Sequence, residues 1–70
     1  MSKFTGYYDV NGGAIHDGDT IRGKSIDGEI MDYRVRWSSF HNSWIGDNVD
    51  EIYDIAPSRF NTMAVINREG

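Results

Sequence analysis

Two groups of residues in this chain have the types and spacing that bind a partner. Arg22, Lys24, Arg34 and Arg36 recur at alternate positions, the spacing that sets side chains on one face of an extended strand. Phe40 and Trp44 lie close by in sequence. Arginines on a β surface with neighbouring rings are how small barrels hold single-stranded nucleic acid: cations meet phosphates and rings stack on bases. The second group is Asp47, Asp50, Glu51, Tyr53 and Asp54, to which Phe40 adds an apolar anchor. Carboxylates around a tyrosine suit a basic groove on another protein, including a groove that ordinarily holds nucleic acid. Each group also has a plainer reading. The arginines can pair across strands with Asp27, Glu29 or Asp32, and the acids can form a solvated face.

Catalytic and metal chemistry find little to work with. Asp17-Gly18-Asp19 places two carboxylates around a glycine, as some calcium loops begin, but Lys24, Ser25 and Ile26 follow where further oxygen ligands are needed. Tight-turn chemistry explains the tripeptide better, because aspartates in turns bond their own backbone. His16 and His41 are isolated, and no histidine spacing suggests zinc. No serine sits in a Gly-x-Ser-x-Gly elbow, and Ser38-Ser39 beside His41 is sequence adjacency, not a triad. Asp47, Asp50, Glu51 and Asp54 could pair as acid and base, but a domain this small seldom encloses a pocket that excludes water. No enzyme activity, metal or other cofactor is expected.

The elements that carry these residues read as short strands. Strict alternation over Glu29–Trp37 puts Met31, Tyr33, Val35 and Trp37 on one face, expected to be core, and Asp32, Arg34 and Arg36 on the other. Ser38–Asn42 is turn-rich, and Ser43–Gly46 reads as the return strand of a hairpin. Phe40 in that turn is either folded back over the core or an exposed anchor. Ser25–Gly28 is a turn signal, so Thr20–Lys24 is expected to pair with Glu29–Trp37. Asn11-Gly12-Gly13 and Asp17-Gly18-Asp19 punctuate the strands before it. Downstream, Val49, Ile52, Tyr53 and Ala56 share a helical face, and Asn48 with Glu51 could form a capping box, so a helix of one or two turns is expected there. Pro57 opposes helical geometry at Ala56. Asn61–Asn67 reads as a last strand, and residues 68–70 as a fraying tail.

Composition bounds the whole. Seventy residues suit one small domain, residues 1–70, that buries only ~60% of its unfolded surface. There is no cysteine to staple it, so two Trp, four Tyr and three Phe must supply much of the core. The net charge of −4 does not steer the chain toward phosphate backbones. No apolar run reaches the ~18 residues of a membrane span, and no apolar signal core follows Met1–Phe4. A soluble cytoplasmic protein without membrane contact is expected. The expected fold is mainly β: a small SH3-like barrel or half-barrel of about five strands with one short helical turn.

The opening of the chain resembles the YopX family of small phage and prophage proteins. The residues that carry the resemblance are Phe4-Thr5-Gly6, Asp9, Asn11-Gly12, Ile15, and Gly18-Asp19 with Ile21. A central hairpin, here Tyr33–Trp37 with Ser43–Ile45, is similar too, and the closing Val65-Ile66-Asn67 lacks the family's glycine. The resemblance is strong over residues 4–21 and slight elsewhere. It implies a phage or prophage gene and a β-rich fold, and it brings no catalytic residues. Together these readings point to a binding protein acting in a bacterial cell on a host or defence protein, with an anti-CRISPR or similar inhibitor as the sharpest version. The alternatives are a single-stranded nucleic-acid binder using Arg22, Lys24, Arg34 and Arg36, and a structural or assembly protein of the virion. Self-association through edge strands is a further possibility.

Overall fold

A computed structural model describes residues 3–25, 27–48 and 53–67, Tyr53 by its backbone alone. The described chain is mainly β, as expected, with seven strands in two antiparallel sheets. β1 (Phe4–Tyr8) and β2 (Ala14–His16) form a two-stranded ribbon. β3 (Thr20–Lys24), β4 (Ile30–Ser38), β5 (Ser43–Asn48), β6 (Tyr53–Ile55) and β7 (Ala64–Asn67) form the main sheet in the order β6-β5-β4-β3-β7. Four strands thus run as a meander. The last strand returns to pair with the first of them, and a 3-10 turn over Pro57–Thr62 precedes it. This is the strand order of a small SH3-like half-barrel. Against the expected count of about five, β3, β4, β5 and β7 lie where strands were read, the short runs on either side of Asn11–Gly13 form the ribbon, and β6 occupies a segment read as helical.

The alternation in β4 sets the layers. Tyr33 and Val35 are fully buried, while Asp32, Arg34 and Arg36 face solvent. Ile15, Ile21, Ile55, Phe60 and Met63 complete the core against them. Burial of this kind contributes roughly 1.5–3 kcal/mol for each large apolar side chain. Gly46 lies opposite Ile55, and a Cβ there would come within 2.7 Å of the Ile55 Cγ1 atom, so a glycine is what lets β6 close onto β5.

Turns behave as their residues dictate. Gly18 adopts a left-handed φ of 89°, and Asp19 accepts the His16 N–H on Oδ2 at 2.8 Å. The same turn is stitched to β4. Gly18 N–H donates to the Val35 carbonyl at 2.9 Å, and Val35 N–H donates to the Asp19 carbonyl at 2.8 Å.

Three expectations are corrected. The segment Asn48–Ala56 is not helical where it is described: Asn48 ends β5, and Tyr53–Ile55 pair with Gly46–Asn48 as β6. Cross-strand burial of Ile55 outweighs the helical periodicity. The capping partner Glu51 lies outside the described residues, as do Val49, Ile52 and the tail 68–70. The short helical turn falls instead at Pro57–Thr62, where proline's fixed φ suits a first helical position. That turn takes Asn61 and Thr62, so the last strand begins only at Ala64. Trp37, expected in the core, is 49% exposed. It shares the face of Val35 by alternation, but β4 extends there past the last stitch from the β2–β3 turn. Its ring packs edge-on against Trp44 at 5.5 Å instead.

Candidate functional site

The four cations expected on one face do share it. Thr20 pairs with Arg34, Arg22 with Asp32, and Lys24 with Ile30 across β3 and β4, and residues directly opposite project to the same side. Of the four cations, Arg22 and Arg34 border an open groove of about 720 Å³, lined also by Thr20, Ile30, Met31, Asp32, Tyr33, Asp47 and Asn48. The face is not a bare cationic strip. Arg22 grips Asp32 with two bonds, Nε to Oδ1 at 2.7 Å and Nη2 to Oδ2 at 3.1 Å. That bidentate contact holds the Asp32 carboxyl below the usual carboxylate range and raises the guanidinium. Arg36 donates through Nε to Asp47 Oδ2 at 3.1 Å. Arg34 faces Asp47 across the strands. Exposed pairs of this kind contribute little stability, but they cancel much of the field a phosphate would feel.

The acidic group is divided by the fold. Asp47 belongs to the arginine face through Arg36. Asp54 is exposed on β6, directly opposite Asp47. The side chain of Tyr53, and Asp50 and Glu51 entirely, lie outside what is described. Phe40 is not beside Asp47 or Asp54. It sits in the β4–β5 turn, at the opposite end of β5 from the residues that pair with β6, a separation of roughly 17 Å at the rise of an extended strand.

The β4–β5 hairpin therefore carries its own surface. Phe40 is 91% exposed at the turn. The turn beneath it is well held: Ser38 Oγ lies 2.9 Å from His41 Nδ1 and accepts the His41 N–H at 3.2 Å, and Asn42 takes a left-handed φ of 53°. The Phe40 and His41 rings meet edge-on at 5.1 Å. Trp37 and Trp44 lie a step down the same arm. Ser38, considered from sequence as a nucleophile, is buried and serves as the clamp of this turn. A second aromatic group occupies the ribbon, where Phe4 packs against Tyr8 and His16, each at 5.6 Å.

Sequence reasoning missed Asp9 as a structural centre. It is buried and accepts three backbone N–H groups: Asn11 at 3.0 Å and Gly13 at 2.7 Å on Oδ1, and Val65 at 3.0 Å on Oδ2. The first two are an Asx-type turn, which the Asp-x-Asn-Gly-Gly pattern could have disclosed. The third joins residues 56 positions apart, and no local signal announces it.

Among the described residues, no group of three or more His, Cys, Asp or Glu comes together as a metal site would require. No described helix is long and apolar enough to cross a membrane. No family model, curated protein or solved structure matches this chain.

Proposed function

We propose that this is a binding protein without catalytic chemistry, and that the β4–β5 hairpin arm is its contact surface for another protein. The observation that carries this reading is the display of Phe40 at 91% exposure on a turn that is itself fixed by side-chain bonds. Leaving a phenylalanine in water forgoes roughly 1.5–3 kcal/mol of burial, and a solvated turn is ordinarily built from Gly, Asn, Asp or Ser. Half-exposed Trp37 beside Trp44 extends the apolar surface along the arm. Large rings on a rigid support are the usual anchors of protein interfaces.

The partner class we propose is a bacterial host or defence protein, in the cytoplasm of the infected cell. This follows from the resemblance of the opening segment to phage and prophage proteins, with an anti-CRISPR type of inhibitor as its narrowest form. The nucleic-acid reading rests on four of the seven Lys and Arg residues sharing the outer face of β3 and β4. The carboxylates that already hold Arg22 and Arg36 weigh against it.

The test is retention of bacterial proteins on the immobilised chain, with and without nuclease, using wild type, Phe40→Asp, and Lys24→Glu/Arg34→Glu. A protein retained after nuclease, lost with Phe40→Asp and kept with the charge reversals supports the arm. Retention that disappears with nuclease or with the reversals transfers the function to the arginine face.

A further inference from the structure

The two outer edges of the main sheet are finished differently. The β7 edge is closed. Val65 N–H donates to Asp9 Oδ2 at 3.0 Å, and Val10 N–H donates to the carbonyl of Met63, just before the strand, at 2.8 Å. Among the described residues, no hydrogen bond reaches the outer edge of β6, whose backbone partners all lie on β5. An open strand edge is a row of donors and acceptors ready for another extended chain.

The side chains around this edge restrict what can join it. Thr20, Arg34, Asp47 and Asp54 stand in one cross-strand row on the solvent face. Asp47 faces Arg34 and is bonded to Arg36. Asp54 faces Asp47, a like charge, and no ion pair joins it to any described residue. A strand added outside β6 therefore meets an exposed carboxylate that lacks a cation. Opposite-charge pairs directly across strands are favourable, and like charges are not. The residues on either side of the one facing Asp54 point to the other face of the sheet, the face on which Ile55 is buried. Apolar neighbours suit the Ile55 face best.

A second copy of this chain fits poorly. Antiparallel self-pairing that uses all of Tyr53–Ile55 sets Asp54 against Asp54. The β7 edge is occupied at Val65 by Asp9, which weighs against it as the partner strand.

We infer that the outer edge of β6 is a strand-addition site for an extended segment of a partner protein, with the pattern apolar–basic–apolar, whose cation pairs with Asp54. This surface lies away from the hairpin arm and stands whether or not the arm binds. The experiment follows backbone amide signals by NMR while the full chain is titrated with capped Thr-Val-Lys-Val-Thr and, separately, Thr-Val-Asp-Val-Thr. The lysine peptide should shift the amides of Tyr53–Ile55 and of Gly46–Asn48, and bind roughly fivefold tighter than the aspartate peptide. Asp54→Lys should reverse that order. Three outcomes overturn the proposal: neither peptide shifts β6 up to its solubility limit; both bind equally to wild type; or β6 signals change with protein concentration alone, which would assign the edge to a second copy.

Discussion

The β7 and β6 edges belong to one sheet and solve one problem by opposite means. β7 is closed by a carboxylate and a backbone amide from the turn after β1, and that turn is bent around the same carboxylate. Among the described residues nothing bonds to the outer edge of β6, which carries a single exposed acid. Closure couples an edge to global stability, because breaking it leaves buried amides unsatisfied. A charge guards an edge without contributing to the core, so it leaves the edge available to a partner of the right sign. The comparison separates a structural edge from an accessible one.

The largest expected effect tests the closed edge. Asp9→Ala removes the acceptor of three backbone N–H groups. It should lower stability by about 3 kcal/mol in urea unfolding, a large part of the ~3.5–10 kcal/mol expected for a chain this size. Asp9→Asn keeps an oxygen for the turn but can turn its NH₂ toward Val65, and should cost about 1–2 kcal/mol. An Asn variant as stable as wild type, with Ala still destabilised, would show that the turn alone matters and that β7 is not held by this contact.

An intermediate effect tests how β6 is held from its inner side. Gly46→Ala places a methyl group 2.7 Å from Ile55 Cγ1 and 3.1 Å from Tyr33 Cβ. Overpacking of this kind should destabilise by about 1–3 kcal/mol, and hydrogen exchange should quicken in β6 before it quickens in β3 and β4. An unchanged melting curve would mean that Ile55 does not anchor β6.

The smallest effect on stability tests the open edge. Asp54→Val removes a like-charge contact with Asp47 and should move stability by no more than ~0.5 kcal/mol. It also removes the guard, so sedimentation should show association that grows with concentration. A variant that stays monomeric throughout would break the comparison, since the acid would then not be what keeps this edge apart.

Much of the fold was legible in sequence, and the reasons are local. Alternation in Glu29–Trp37 located β4 and its solvent face, and Asp17-Gly18-Asp19 and Ser25–Gly28 marked turns by their residue chemistry. The candidate surfaces were less legible. The alternation that correctly buried Tyr33 and Val35 also assigned Trp37 to the core, because period reports a face and not whether anything lies over it. Phe40 and the acids looked like neighbours at a spacing of only a few residues, yet an extended strand carries such a spacing across the molecule. The helical pattern around Tyr53 yielded to a hairpin pairing with Gly46–Asn48, which periodicity along the chain does not report.

By itself, then, the sequence determined the strand-and-turn grammar and the two-sided character of β4, because turn dihedrals and pleat alternation are properties of adjacent residues. Tertiary structure alone decided that Arg36 meets Asp47, that Asp9 reaches Val65, and that one edge closes while the other stays open. Those outcomes depend on register between paired segments, near or far in the chain, and register is chosen by how the whole core packs.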